Sequence, residues 1–122
     1  MKKLMAVLLL VFPATTLADY LDVIEFKLDE GCTLDGYLEV VKDFNAWGED
    51  HGYRAEVWAP LMRGTLDTYF WVGRSKDAET FGAAWDVWRD ALSDSDSTPA
   101  KLQARMSDCE TNLNRSGFDT YK

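Results

Sequence analysis

The sequence is poor in metal-binding side chains and in positive charge. It contains one His and two Cys among 122 residues, whereas zinc and iron–sulfur sites need about three or four such ligands. Its 13 basic residues are outnumbered by 21 acidic ones, which gives a net charge of −8. Nucleic acids and anionic lipid headgroups are held by Lys and Arg, and the chain has no glycine-rich nucleotide-binding motif. We therefore expect no metal, no cofactor, no nucleic-acid partner and no docking on a membrane.

The first eighteen residues have the pattern of a secretory signal peptide. Lys2 and Lys3 precede an apolar run from residue 4 to residue 12, and small residues precede a cleavage site after Ala18. The run is too short to span a bilayer, which takes about 20 apolar residues. We expect export to the periplasm or the medium and one mature domain over residues 19–122; an uncleaved N-terminal anchor is the alternative.

The two Cys are expected to form a structural disulfide. An exported protein meets an oxidising environment, in which two Cys usually pair. Cys32 and Cys109 are 77 positions apart, without the CxxC spacing or the basic neighbours of a reactive thiol pair. Closing so long a loop stabilises a fold by about 4–5 kcal/mol in the chain-entropy model.

Alternating and helical patterns divide the mature chain into strands and helices. Four strands are predicted, over residues 20–28, 53–61, 68–73 and 112–121, the last with a bulge at Gly117. Thr33 and Asp77 are expected to cap two amphipathic helices, which end near residues 50 and 92. A short third helix begins at residue 98, since the following proline is tolerated at a first helical position.

The order β-α-β-β-α-(α)-β predicts an α+β protein with the ferredoxin-like fold, with an extra short helix before strand 4. In that topology an antiparallel sheet of order 4-1-3-2 carries its helices on one face. The end of strand 1 then lies beside the start of strand 4. Cys32 follows strand 1 and Cys109 precedes strand 4, so the topology itself would bring the two Cys together.

A sheet covered on one side leaves its other face bare. We expect apolar residues of three strands to point toward the helices: Ile24, Phe26, Val57, Phe70 and Val72. The bare face would then carry a mixture of charged and aromatic residues: Glu25, Lys27, Arg54, Glu56, Trp58, Tyr69 and Trp71. Aromatics on an open surface mark interaction sites. These seven residues are therefore the predicted interface or ligand-binding set.

In element order and in these mixed strand residues, the chain resembles the dimeric α+β barrel superfamily, which includes antibiotic-biosynthesis monooxygenase-like and NIPSNAP-like families. The resemblance covers the mature chain. It implies two protomers whose bare sheets meet face to face, with a cavity inside the barrel or between sheet and helices. The superfamily contains oxygenases and haem enzymes, so the fold does not set the function.

Haem degradation of the kind found in that superfamily is not indicated by the residues. The small haem-degrading monooxygenases that the chain resembles use an Asn on strand 1, a Trp on strand 3 and a His on helix 2. Trp71 matches the Trp, but strand 1 has no Asn and the second helix has no His. The single imidazole, His51, is expected to be a solvated residue at the end of helix 1.

The sequence leaves three function classes open, the third of which is a subunit of a larger envelope assembly. The first is an exported binding or interaction module that forms a homodimer through the bare sheet face. In one version of it, Lys27 and Arg54 hold a small anionic ligand on which Trp71 stacks; in the other, charged residues of this face only form ion pairs. The second class is a cofactor-free monooxygenase-like enzyme that acts on a small aromatic or apolar molecule.

Overall fold

The structure, a computed structural model, describes residues 19–121. Its strands are β1 (Tyr20–Leu28), β2 (Arg54–Trp58), β3 (Tyr69–Ser75) and β4 (Glu110–Asp119). Its helices are α1 (Leu34–Gly48), α2 (Ala78–Ala91) and α3 (Thr98–Ser107), with a short 3₁₀ turn (Glu49–His51) after α1. The predicted signal peptide lies outside the described residues and stays a prediction. Within them, no helix is long and apolar enough to cross a membrane.

The four strands form one antiparallel sheet with the order β2-β3-β1-β4. This is the predicted ferredoxin-like order read from the other edge, so the predicted fold class is confirmed. The disulfide joins Cys32 to Cys109 with a Cα–Cα separation of 5.6 Å. It ties the N-terminus of α1 to the start of β4, where the topology had placed the two residues.

The helices begin where the sequence supplies capping side chains. Thr33 accepts a hydrogen bond from the Gly36 amide, and Asp77 accepts one from the Thr80 amide, as in standard N-caps. Ser97 caps α3 in the same way. After the 3₁₀ turn, Gly52 adopts a positive φ of 67°, the left-handed conformation that ends many helices.

Two strands differ from their predicted form. β2 ends at Trp58, before Pro60, and lies at a sheet edge, as expected for a strand followed by a residue that cannot donate to the ladder. β4 begins at Glu110, and its irregularity lies opposite Glu25 and Phe26 rather than at Gly117. The extra residue is Leu113, so the prediction of a bulge at Gly117 was wrong.

The predicted facing of β3 was also wrong. Trp71 lies directly opposite Ile24 and Val57, and it is buried in the core between sheet and helices, with Tyr69 packed beside this core. Phe70 and Val72 lie on the bare face. Both faces of β3 carry aromatic or branched residues, so its alternation does not show which face is inside.

Candidate functional site

A pocket of about 180 Å³ lies between the sheet and the helices, and half of the residues that line it are aromatic. Phe44 and Trp47 from α1, Trp88 from α2 and Trp71 from β3 contribute rings, with Phe44 and Trp71 in edge-to-face contact at 4.8 Å. Aromatic side chains with a few convergent polar groups are typical of small-molecule sites. The pocket is therefore the candidate functional site, and it lies on the opposite side of the sheet from the predicted one.

One end of the pocket holds an ion pair with a buried carboxylate and a half-exposed guanidinium. The side chain of Asp22, on β1, is only 3% exposed and accepts two hydrogen bonds from Arg115 of β4, from Nε and Nη2, each at 2.8 Å. This bidentate geometry is the strong form of an Arg–carboxylate contact. Burial lowers the pKa of Arg115, but the hydrogen bonds and charge of Asp22 outweigh burial and raise it overall. Arg115 therefore stays a cation in the pocket wall.

Tyr53 and Trp71 connect this ion pair to the core by hydrogen bonds. The Tyr53 hydroxyl donates to Asp22 Oδ2 at 2.8 Å and accepts from the Trp71 indole Nε1 at 2.7 Å. Burial, together with the charge of Asp22, holds the pKa of Tyr53 well above its usual value. The phenol thus remains a hydrogen-bond donor to the carboxylate.

Gly73 makes the position of Tyr53 feasible. A Cβ at Gly73 would lie 1.8 Å from the Tyr53 hydroxyl oxygen, because the phenol crosses β3 there to reach Asp22 on β1. A glycine inside a strand often marks such a close approach. Any larger residue at this position would displace the Tyr53 ring and break the chain of hydrogen bonds.

The other end of the pocket holds a second polar pair, beside the disulfide. Tyr37 of α1 donates a hydrogen bond to Glu110, the residue after Cys109. Burial raises the pKa of the Tyr37 hydroxyl, and the charge of Glu110 raises it further. Burial also raises the pKa of Glu110, although the hydrogen bond from Tyr37 opposes this change. The pocket is thus apolar in its middle and polar at both ends.

Trp85 and Arg115 separate this pocket from a more open groove of about 300 Å³. The Arg115 guanidinium lies over the Trp85 ring at 4.4 Å, a cation–π distance. The three-residue spacing of Trp85 and Trp88 predicts that both pack against the sheet, but Trp85 is 38% exposed whereas Trp88 is 6% exposed. Trp85 therefore forms part of the pocket mouth.

The predicted interface residues do not all lie together. Five of them share the bare face, as predicted: Glu25, Lys27, Arg54, Glu56 and Trp58. Tyr69 and Trp71 lie on the helix side. Because Trp71 is on the opposite side of the sheet from Lys27 and Arg54, the version in which these three residues hold one anionic ligand is wrong.

The acids of the bare face pair with bases other than Lys27 and Arg54. Glu25 contacts Arg63 of the β2–β3 connection at 3.6 Å, and Glu56 contacts Arg74 at 3.2 Å. Lys27 contacts Asp67 at 2.9 Å. Ion pairing of this face was expected, but the partners come mainly from the connection and from β3.

An apolar stripe crosses the bare face between these ion pairs. Three directly opposed pairs of side chains compose it: Leu21–Phe118, Val23–Val72 and Phe70–Trp58. Trp58 and Phe118, at its two ends, are 47% and 52% exposed. The stripe thus spans all four strands. Val72 at its centre is 0% exposed, so the apolar surface open to a partner lies mainly at the Trp58 and Phe118 ends.

Sequence reasoning missed Asp22, Tyr53, Arg115, Tyr37 and Glu110, which form the polar ends of the pocket. One signal was present for Asp22, because it lies in phase with Ile24 and Phe26 on the inward face of β1. A charged residue at a buried position is paired in most proteins. Gly73 was a second signal, since it marks a close approach on the same face.

No family model and no curated protein matches the sequence. Two solved structures are similar to the fold at 11% sequence identity. SnoaB, a cofactor-independent oxygenase from Streptomyces nogalater, has a TM-score of 0.57 over 86% of this chain and 95% of its own. A conserved protein of unknown function from Bacteroides thetaiotaomicron, described as a possible oxidoreductase, has a TM-score of 0.56 over 85% of this chain and 99% of its own. At this identity, the similarities concern the fold alone.

Proposed function

We propose that the chain is a small-molecule-binding protein and that its ligand occupies the aromatic pocket between sheet and helices. The observation that carries the proposal is the Asp22–Arg115 pair in the wall of an aromatic pocket, where the Asp22 side chain is 3% exposed and the Arg115 side chain is 40% exposed. A carboxylate is costly to bury, and pairing it with a base compensates that cost without adding much stability. The place of this pair at a cavity is therefore better explained by recognition of a ligand.

The size of the pocket limits what it holds. An apolar cavity of about 150 Å³ accommodates benzene, and this pocket has about 180 Å³ and opens toward the adjoining groove. A compound of one or two rings fits this space. The rings would lie among Phe44, Trp71 and Trp88, with polar substituents at the two polar ends.

The proposal is tested by filling the pocket. Ala84 of α2 lines it and is 4% exposed, whereas the neighbouring Ala83 is exposed. We expect Ala84→Leu to weaken binding of a naphthalene probe by about tenfold or more, because the added side chain occupies the space of a ring. Quenching of tryptophan fluorescence measures the binding, since Trp47, Trp71 and Trp88 line the pocket.

Ala83→Leu is the matched control, since it adds the same side chain to the same helix outside the pocket. It should bind the probe like the unaltered protein. Equal binding by the two variants would refute the pocket as the ligand site. A native mass spectrum of protein purified from the periplasm gives an independent measurement, because a retained ligand adds mass to the chain.

The proposal includes export and a homodimer formed through the bare face. A disulfide is compatible with an extracellular location, and the charged and apolar residues of the bare face support a partner surface. The pocket opens on the other side of the sheet, so a dimer of this kind leaves the ligand site free.

A cofactor-free oxygenase is the second candidate function. Its support is Glu110, a carboxyl group whose pKa burial raises, in the wall of a pocket suited to aromatic compounds. A carboxylate with a raised pKa is a stronger base toward a proton of a bound compound. The fold similarity to SnoaB, a cofactor-independent oxygenase, agrees with this candidate. Uptake of dissolved oxygen when the retained ligand is added back to the protein would support it, and no uptake would leave the binding function alone.

A further inference from the structure

The Asp22–Arg115 pair also indicates which class of ligand the pocket binds. This inference rests on the proposed function of the pocket. Arg115 uses Nε and Nη2 to bind Asp22. Among residues 19–121, its Nη1 has no hydrogen-bond partner. A guanidinium has five N–H donors, so Arg115 keeps donors for a ligand while its position is fixed by Asp22 and by the Trp85 ring.

The charge of this site is balanced. Arg115 is the one cation in the pocket wall within the described part of the chain, and the wall also contains Asp22 and Glu110. Asp22 compensates the positive charge of Arg115 at contact distance. An anionic ligand would therefore add an uncompensated charge to a partly desolvated site, which is unfavourable. The excess of acidic over basic residues in the whole chain also disfavours an anionic ligand.

A neutral oxygen atom avoids this cost. A carbonyl oxygen on an aromatic ring can accept a hydrogen bond from Arg115 without bringing a charge into the pocket. We infer that the pocket selects uncharged aryl carbonyl compounds over aryl carboxylates of the same shape, and that Arg115, neutralised by Asp22, is the residue that makes this selection.

Three naphthalene probes of similar shape test the inference on the unaltered protein. They are 2-acetylnaphthalene, 2-naphthoate and 2-isopropylnaphthalene, which carry a neutral acceptor, an anionic acceptor and no acceptor. We expect the ketone to bind about tenfold or more tightly than each of the other two, because only the ketone gains the hydrogen bond without adding a charge. Tryptophan quenching measures all three affinities.

A charge-removing variant provides the second measurement. Asp22→Asn keeps one acceptor oxygen, loses one of the two hydrogen bonds from Arg115, and leaves the guanidinium uncompensated. We expect the preference to reverse, so that 2-naphthoate binds more tightly than the ketone. Asp43→Asn is the control, since it removes the same charge from an exposed pair with Arg105 and should keep the preference for the ketone.

The outcomes separate this inference from the proposed function. If no probe binds, or if binding is insensitive to Ala84→Leu, the pocket is not a ligand site and both proposals fail. If the probes bind in the pocket but the unaltered protein binds 2-naphthoate as tightly as the ketone, the selection by charge is overturned and the pocket stands. A preference that persists in Asp22→Asn would also overturn the assigned role of the ion pair.

Discussion

Tyr53 connects the interior of the protein to the candidate site by hydrogen bonds. Its hydroxyl group accepts a hydrogen bond from Trp71 and donates one to Asp22, which in turn holds Arg115. Hydrogen bonds of this kind are worth little on average, but a buried group left without its partner is costly. Tyr53 therefore affects stability and also the position of the cation at the pocket mouth.

The replacement Tyr53→Phe tests this role. It leaves the Trp71 indole without its acceptor and Asp22 without one donor, so we expect the free energy of unfolding to fall by about 1–3 kcal/mol. Urea denaturation measures the change. Tyr121→Phe removes the same hydroxyl from a residue that is 89% exposed and should change the free energy by less than about 0.5 kcal/mol. A Tyr53→Phe protein as stable as this control would contradict the argument.

At the scale of elements, the disulfide joins the ends of three of them. Cys32 precedes α1, and Cys109 lies between α3 and β4. The polar end of the pocket with Tyr37 and Glu110 is built from the same elements. The disulfide therefore stabilises this end of the pocket as well as the fold.

The double replacement Cys32→Ala and Cys109→Ala should lower the free energy of unfolding by about 2–5 kcal/mol, because the unfolded chain is no longer constrained by a closed loop. Urea denaturation under oxidising conditions measures the difference. The unaltered protein in a reducing agent should match the double variant. Equal denaturation midpoints for the oxidised protein and the double variant would show that the crosslink contributes no stability.

The elements differ in how far sequence predicted them, and β3 and β4 show why. β1 and the helices have one more apolar side, so most of their inward residues could be predicted, with Trp85 of α2 as an exception. β3 is apolar on both faces, and only its register with Ile24 and Val57 shows that Trp71 is inside. In β4 the extra residue Leu113 reverses the alternation and turns Arg115 toward the helices. No local pattern marks this bulge.

The candidate site was harder to predict than the fold because its residues come from distant positions. Asp22 lies 31 positions from Tyr53 and 93 positions from Arg115. The register of strand pairing brings them together. The sequence predicted which strands are neighbours, but not which residues lie opposite each other.

At the scale of the whole molecule, the two faces of the sheet carry different features. The helix side encloses the pocket, and the bare face carries the apolar stripe that ends at Trp58 and Phe118. Exposed apolar surface of this kind favours association. The proposed dimer would cover this stripe.

A charge placed in the stripe tests the dimer. We expect Trp58→Glu to weaken self-association by about a hundredfold or more, because the carboxylate would be buried without a partner. Val87→Glu is the control, since Val87 on α2 is 46% exposed, close to the 47% of Trp58, but lies away from the bare face. Analytical ultracentrifugation measures both. A dimer that survives Trp58→Glu, or one that Val87→Glu dissociates, would refute this interface.

Because β1 pairs with β4, the pocket is complete only after β4 has been made and paired. The first and last strands of the domain are neighbours, and the last one supplies Arg115 and Glu110. A chain that is made from its N-terminus cannot complete the pocket until β4 has been made. Contacts between such distant segments also slow folding. Ligand binding would therefore report that the whole domain has been made and folded.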